Sequence, residues 1–264
     1  MGKAPWQSGW ADERFGVEHA AILRRLLPEA LAAAVSDAVD AHEAAKTEKK
    51  ITFGATRYVK QYESVVEYLR DIDGVSFVRV PGTFYELAVV NGTILLPFRF
   101  ADQLAVRLED PRVVRELGKV ARGLIERIGA EPSWSQPQLY ADFDDADHAS
   151  AVVQATLERL GLDTKLVLVP FACNVEGGLL AAYWGEAALR GDGQLEWVSY
   201  EMLPIPEGRM WSGHLSEVAP IPGQANATAV ARFDDAPLDE PALSQQTGIP
   251  DHAQDSGRSE ERST

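Results

Sequence analysis

The chain has 264 residues, 45% of them hydrophobic, which is enough to bury a substantial core in one or two domains. A formal net charge of -15 and a pI of about 4.8 repel a phosphate backbone, and no basic run offsets that repulsion, so the sequence argues against a nucleic-acid partner. The apolar runs are far shorter than the roughly 18 residues of a membrane span, and no secretory leader is recognisable, so we expect a cytoplasmic protein without a membrane partner.

The first 56 residues are predicted to form an arm and a helical segment. Trp6, Trp10 and Phe15 stand among Gly, Ser and Pro in the first 16 residues, a composition too broken for a helix, and we expect an arm that docks on the body. Leu and Val recur every four positions over residues 17–46, which predicts a helix, kinked or divided at Pro28. We expect this stripe to pack in the core, with a helix-pair dimer seam as the alternative.

Residues 57–129 are predicted to form a first α+β unit of one helix and three antiparallel strands, closed by a further helix. A short connection over residues 51–55 precedes the first helix, which is predicted over 57–71, and a strand is predicted over 75–80. The closing helix is predicted over 110–128, because Asp stands at its N-cap, Pro at its first helical position and Gly after its end.

The second and third strands of this unit are predicted to form a tight hairpin. The dipeptide Asn91-Gly92 lies between two apolar runs, and it supplies the two positive φ values that a type I′ turn requires. A two-residue loop pairs Val90 with Thr93 and makes Glu86 and Arg99 diagonal neighbours on one face of the hairpin. We therefore expect an ion pair between Glu86 and Arg99.

The middle of the chain holds a linker and an acidic run. Residues 130–145 contain two prolines, and they mark the boundary between two halves. The run DFDDADHAS that begins at Asp142 offers oxygen ligands, but a calcium loop of the EF-hand kind needs Gly at its sixth position and Glu at its twelfth, where this chain has Asp147 and Val153. We expect these acids to complement the N-terminus of a helix over 146–160.

A second α+β unit is predicted over residues 146–218, in which three strands follow the helix. The strands are predicted over 165–172, 179–189 and 194–203, with a four-residue turn between the last two. Residues 219–264 are rich in Pro and Gly and then in acidic and polar residues, and we expect the part beyond Asp235 to be a disordered tail that can be removed without loss of stability.

The last two strands carry a second pair of candidate residues. The four-residue turn places Trp184, Glu186, Trp197 and Glu201 on one face of the hairpin. Paired Glu residues could perform acid and base catalysis in a hydrolase, whereas Glu on the solvent face of a hairpin is the common structural case. We expect the solvent-facing arrangement.

The remaining residue types do not form a metal or cofactor motif. Cys173 is the only cysteine, so an intrachain disulfide is impossible, and its apolar setting VPFACN predicts a buried, inert thiol. The Gly-rich turns lack the Lys-Ser/Thr of a phosphate loop, and the five histidines are scattered without the spacing of metal ligands. We predict neither a cofactor nor a metal.

The order of elements over residues 57–128 resembles the restriction-endonuclease-like nucleases, whose core carries an acidic residue on its second strand and a (D/E)xK triplet on its third. By position, Glu86 matches the first acid, and Pro97-Phe98-Arg99 stands where the triplet belongs. Pro97 replaces the second acid and Arg99 replaces the Lys. Since one carboxylate is a poor site for magnesium, this resemblance implies an inactive copy.

The acidic charge and the alternation of a helix with three strands also resemble small bacterial chaperones of the secretion-chaperone type, which hold a partner on an exposed sheet. The sequence therefore predicts an α+β, non-catalytic, accessory or regulatory protein that binds another protein, with an inactive or divergent nuclease as the alternative. Its weak catalytic candidates are Glu86 and Arg99, and its candidate partner-binding residues, expected to be partly exposed, are Trp6, Trp10, Trp184 and Trp197.

Overall fold

The computed structural model describes residues 9–110, 113, 117–133, 143–160 and 163–206, without the side chains of 143–148. In this part of the chain five helices and six strands confirm the predicted α+β class. The helices are α1 Trp10–Phe15, α2 Val17–Ala45, α3 Ile51–Leu69, α4 Lys119–Ile128 and α5 Phe143–Leu157. The strands are β1 Val75–Arg79, β2 Glu86–Val90, β3 Thr93–Ala101, β4 Lys165–Asn174, β5 Gly178–Leu189 and β6 Leu195–Met202.

The six strands form one mixed sheet in the order β1-β2-β3-β4-β5-β6. Neighbouring strands are antiparallel except β3 and β4, which run parallel from the Thr93 and Lys165 pair to the Ala101 and Ala172 pair. The helices α4 and α5 lie between β3 and β4 in the chain, as a parallel connection requires. The strands of the two predicted units thus form one sheet, in which β3, the third strand of the first unit, pairs with β4, the first strand of the second unit.

Both faces of the sheet are buried, because side chains alternate along each strand. Leu95 and Val167 belong to an apolar cluster with α1, α2 and α3, whereas Ile94 and Leu166 belong to a second cluster with α4 and α5. Burial on both faces explains why β4 reads as an almost continuous apolar run. Within the described residues, none of the helices combines the length and apolar composition that a membrane span requires.

The hairpin between β2 and β3 confirms the prediction from Asn91-Gly92. Asn91 has φ 48° and Gly92 has φ 73°, both in the left-handed region, and Val90 pairs with Thr93 as the two-residue loop requires. The Asn91 side chain also donates a 2.8 Å hydrogen bond from Nδ2 to the carbonyl of Phe15. The turn therefore anchors the end of α1 as well as the hairpin.

Two of the three N-terminal helices, α1 and α3, differ from their predicted bounds, whereas α2 agrees. Residues 10–15 form a helix where the sequence predicts a non-helical arm, because Trp10, Ala11 and Phe15 share one buried face. That segment does dock, as expected. α2 is a single helix that contains Pro28, and α3 begins at Ile51 rather than at residue 57, since the buried Phe53 extends its packed face toward the N-terminus.

The helix predicted over 110–128 is also too long. Within the described residues α4 begins at Lys119, and Val113 N donates a 3.0 Å hydrogen bond to Asp110 O, a bond between residues three apart. The Asp-Pro start signal at residue 110 thus opens a tight turn instead of the long helix. Gly118, with φ -69° and ψ 163°, occupies the N-cap position of α4.

The register of β5 and β6 differs from the prediction. Arg190 N donates to Gln194 O and Gly193 N donates to Arg190 O, so Ala187 pairs with Trp197, one residue further along β6 than the predicted four-residue loop implies. A bulge between Glu186 and Ala187 then shifts the register by one more residue, and Glu186 pairs with Ser199. As a result Trp184 and Trp197 belong to the apolar clusters on opposite faces of the sheet, not to one face.

Candidate functional site

The tryptophans predicted to bind a partner are buried wherever the structure describes them. Trp184 is 0% exposed, Trp197 is 8% exposed and Trp10 is 9% exposed. Trp184 stacks on Phe15 at 5.3 Å between ring centroids and meets Trp10 edge to face at 5.3 Å. The prediction of exposure is wrong for these three residues, because helices cover both faces of the sheet. Trp6, and the tail beyond Asp235, lie outside the described residues.

Glu186 and Glu201 each meet an arginine from the N-terminal helices instead of facing open solvent. Arg14 of α1 pairs with Glu186, and Arg24 of α2 contacts Glu201 at 2.6 Å between Nε and Oε1. The hydrogen bond to Glu201 is the largest cause of the raised pKa of Arg24. This arrangement attaches α1 and α2 to the last hairpin.

Glu86 and Arg99 do not form the predicted ion pair among the described residues. Glu86 lies opposite Arg79 in the β1 and β2 ladder, whereas Arg99 Nε donates a 3.3 Å hydrogen bond to Cys173 O and Arg99 Nη2 lies 3.6 Å from Asp102. The β2 and β3 ladder extends only from Val90 and Thr93 to Ala88 and Leu95, so the strands do not continue the predicted register as far as Glu86.

Pro97, which stands where the nuclease triplet would begin, lies in the interior strand β3. It stands opposite Val169 of β4, and Gln61 Nε2 donates a 3.3 Å hydrogen bond to its carbonyl. Gln61 is 1% exposed and also accepts a 2.8 Å hydrogen bond from Arg57 Nη1. The Gln61 side chain of α3 thereby provides a hydrogen-bond donor for the carbonyl of Pro97, two residues before Arg99 in β3. Among the described residues, no cluster of three His, Cys, Asp or Glu side chains could hold a metal ion.

Two neighbouring cavities follow one side of α3. The first has a volume of about 310 Å³ and is lined by α3, the β1–β2 loop, β3 and residues 117–121. The second has a volume of about 260 Å³ and is lined by α3, residues 99–103 and the β4–β5 turn. Arg57 and Arg99 line both cavities. We call the two cavities together the α3 groove.

A single stripe of α3 forms the long wall of the groove. Its members recur at intervals of three and one, as residues on one helical face do: Lys50, Phe53, Gly54, Arg57, Tyr58 and Gln61. At 1.5 Å per residue the stripe is about 16 Å long. A Cβ added at Gly54 would meet nothing within 4 Å, so this position has open space in front of it.

Four aromatic rings stand at one end of the groove. Tyr62 stacks on Tyr85 at 4.0 Å between centroids and 11° between planes, and both are buried. Tyr58 and Phe84 meet edge to face at 5.6 Å and are 43% and 47% exposed. Burial raises the pKa of Tyr85 to about 12 and raises that of Tyr62 as well. The buried pair supports the exposed pair, which is available for contact.

Charged side chains of both signs line the groove. Its described lining contains four cationic side chains and two carboxylates, which are Lys50, Arg57, Arg99, Lys119, Asp102 and Glu176. Asp102 and Glu176 line the second cavity, and within the described lining of the first cavity no carboxylate is present. Lys119 also stands in the first turn of α4, where the helix dipole adds positive potential.

One end of the groove is crossed by an exposed ion pair. Lys50 Nζ lies 2.8 Å from Glu176 Oε1, with the side chains 59% and 67% exposed. This contact is the largest cause of the lowered pKa of Glu176. Exposed pairs contribute at most about 1 kcal/mol, so a ligand that binds here can open the pair at small cost.

Arg99 is a candidate site residue from the sequence, whereas the groove around it is visible only in the structure. The α3 stripe follows the helical period and can be recognised in the sequence once the helix is known to begin at Ile51. The other walls of the groove, the β1–β2 loop and residues 117–121, come from other parts of the chain. No family model matches the chain, and neither a curated protein nor a solved structure matches it.

Proposed function

We propose that this is a non-catalytic, cytoplasmic accessory protein that binds another protein through the α3 groove. The observation that carries the proposal is the half-exposed pair Tyr58 and Phe84 in the wall of a cavity of about 310 Å³. Aromatic and arginine side chains are the residues enriched at the energetic centres of protein interfaces. A chaperone-like or regulatory role fits a surface that holds a segment of a partner.

The electrostatics favour a protein partner over nucleic acid. The net charge of -15 opposes approach to a polyanion, because the long-range field of the whole chain acts before the local groove can. A folded protein partner carries far less charge than a phosphate backbone, so the same repulsion is much weaker for a protein.

The experiment that tests this function is affinity capture from the native host with three matched forms of the chain. The native chain, Gly54→Ala and Gly54→Leu differ only in how far a side chain extends into the open space of the second cavity. We expect one partner to be retained by the native chain, reduced with Gly54→Ala and lost with Gly54→Leu. Equal capture by all three forms would show that the groove is not the binding site.

The alternative function, a divergent metal-dependent nuclease, has a separate test. The purified chain is incubated with DNA or RNA and either magnesium or manganese, beside the Glu86→Ala variant. We expect no cleavage by either form, since Glu86 lies opposite Arg79 and Pro97 stands in the position of the second acid. Cleavage by the native chain that Glu86→Ala abolishes would favour the nuclease instead.

A further inference from the structure

We infer that residues 207–215 of this chain compete with the partner for the α3 groove, with Trp211 seated between the rings of Tyr58 and Phe84. This inference rests on the proposed function and specifies how the groove is regulated. Three features support it: a half-covered apolar face of α3, the place where the chain leaves the sheet, and the composition of the residues that follow.

The apolar face of α3 is covered along only half of its length. Its members recur at intervals of four and three, and they are Ile51, Ala55, Tyr58, Tyr62, Val65 and Leu69. The last three are at most 5% exposed and belong to the apolar clusters of the sheet. The first three are exposed, and Tyr58 also lines the groove. Among the described residues, the N-terminal half of this face therefore lacks the cover that its C-terminal half has.

The described chain leaves the sheet beside the groove. Leu203 N donates a 2.8 Å hydrogen bond to Ala182 O. Ala182 pairs with Phe171, which pairs in turn with Arg99. At about 4.8 Å between neighbouring strands, Leu203 lies about 14 Å from Arg99, which lines both cavities. Ile205 packs on the apolar cluster of α1, α2 and α3, so the chain continues on the face of the sheet that these helices cover.

The chain beyond residue 206 is long enough to fill the groove. Trp211 is eight residues after Leu203, and an extended chain advances about 3.3 Å per residue, so Trp211 can lie up to about 26 Å from Leu203. This reach exceeds the distance to Arg99 and extends to the rings of the first cavity. The groove wall on α3, about 16 Å long, accommodates roughly five extended residues, which are residues 207–211.

The composition of the segment suits an apolar anchor. Residues 207–215 lie outside the described part of the chain, and their sequence is EGRMWSGHL. One Glu and one Arg leave the segment without net charge, whereas residues 216–264 contain nine acidic residues and three arginines. Trp211 is the only tryptophan after Trp197, and it stands next to Met210. Tryptophan is enriched at the energetic centres of interfaces, and both side chains gain from burial.

Disulfide trapping in the full chain tests where the segment lies. One form carries Arg209→Cys and Ala55→Cys, since the segment and α3 would both run from the second cavity toward the first. Arg209 precedes Trp211 by two residues, or about 7 Å, and Ala55 precedes Tyr58 by three helical residues, or about 4.5 Å. The two cysteines therefore approach each other when Trp211 lies against Tyr58. Cys173 is fully buried and common to all forms.

The control form carries Arg209→Cys and Val198→Cys. Val198 is 50% exposed and lies five strand residues, or about 16 Å, from Leu203, which is close to the distance between Leu203 and Arg99. A segment without a preferred site would reach both positions equally well. Under mild oxidation we expect the Ala55 disulfide to form at least about fivefold faster than the Val198 disulfide. Trp211→Ala should remove the difference.

Partner capture tests the competition itself. If the segment occupies the groove in about nine molecules of ten, Trp211→Ala should raise the apparent affinity for the partner by about tenfold. Leu238→Ala removes an apolar side chain beyond the segment and should leave the affinity within about twofold of the native value.

The possible outcomes separate this inference from the proposed function. Equal trapping at Ala55 and Val198 overturns the inference, and so does partner capture that Trp211→Ala leaves unchanged or weakens. Capture that Gly54→Leu abolishes would in that case still support the groove as the partner site. Capture that Gly54→Leu does not affect overturns the proposed function, whereas preferential trapping at Ala55 would still place residues 207–215 in the groove.

Discussion

Trp184 donates a 2.7 Å hydrogen bond from its indole Nε1 to Oε1 of Glu201, although the Trp184 residue is fully buried. Arg24 contacts the same carboxylate at 2.6 Å and lies 5.8 Å from the centroid of the Trp184 ring. One carboxylate on β6 thus satisfies a buried donor of β5 and an arginine of α2. These contacts connect α2 to the last hairpin and hold the Trp184 ring in its orientation. Trp184 is the largest fully buried side chain among the described residues.

Replacement of Glu201 by Ala should therefore destabilise the fold by about 1 to 3 kcal/mol. The substitution leaves the buried indole N–H without its acceptor, and the cost of an unsatisfied buried donor is of this order. Urea unfolding followed by circular dichroism measures the change. Glu126→Ala, at an exposed position of α4, is the control and should stay within about 0.5 kcal/mol of the native chain.

The hairpin turn supports a prediction at Gly92. Gly92 has φ 73°, where a β-branched side chain is strained, so Gly92→Val should destabilise the fold by about 1 to 3 kcal/mol. Gly92→Asn, which tolerates the left-handed region, should recover much of the loss. Equal destabilisation by Val and Asn, measured by chemical unfolding, would show that the loss does not come from backbone strain.

At Gly54, in contrast to Gly92, we expect a substitution to increase the stability of the fold. It lies within α3, has no positive φ and has open space around its Cα, so Gly54→Ala should stabilise the fold by about 0.5 to 1 kcal/mol. Thermal unfolding measures this gain. A gain in stability together with weaker partner binding is the expected behaviour of a position that is left open for a ligand. A loss of stability would show that the space around Gly54 is needed by the fold itself.

Stability should fall in strong alkali. Burial raises the pKa of Tyr85 to about 12, and burial together with a hydrogen bond to Glu109 raises the pKa of Tyr200 to about 12, whereas an unfolded tyrosine titrates near 10. Between these values the unfolded chain loses protons that the folded chain keeps, so stabilisation present below pH 10 is lost as the pH rises toward 12. Tyrosinate absorbance in native and urea-unfolded protein would reveal the difference, and identical titration curves would contradict it.

Cys173 should resist alkylation in the folded protein. It is fully buried, and burial raises the pKa of its thiol to about 11, so the reactive thiolate is scarce near neutral pH. Iodoacetamide labelling at pH 8 should be slow for the native chain and rapid in urea. Rapid labelling of the folded form would indicate that β4 opens readily.

The sequence predicts those features of the fold that depend on neighbouring residues. Asn91-Gly92 determines its own turn, and both the hairpin and its local register follow from that chemistry. The parallel pairing of β3 with β4 joins strands separated by two helices, and no local signal specifies it. The Asp-Pro signal at residue 110 is a turn signal as much as a helix start, so the true start of α4 at Lys119 was missed.

The predicted positions of the site residues depended on the strand register, so they were less accurate than the prediction of the local turn. Trp197 pairs with Ala187, one residue from the predicted register, so Trp184 and Trp197 lie on opposite faces and could not be placed from alternation alone. Arg99 was singled out for an ion pair with Glu86, whereas the structure places it in the wall of the groove. That wall also contains Phe84 and Lys119, which lie in separate segments of the chain and come together only in the folded structure.

Photocrosslinking at Tyr58 tests the central claim most directly. A photoreactive phenylalanine analogue replaces Tyr58 in one form of the chain and Val198 of β6, which is 50% exposed, in another. Both positions have similar exposure, but only Tyr58 lines the α3 groove. We predict that irradiation in the native host joins the Tyr58 form to one partner protein and that Gly54→Leu abolishes this product. Crosslinking of that partner from Val198 but not from Tyr58 would contradict the account.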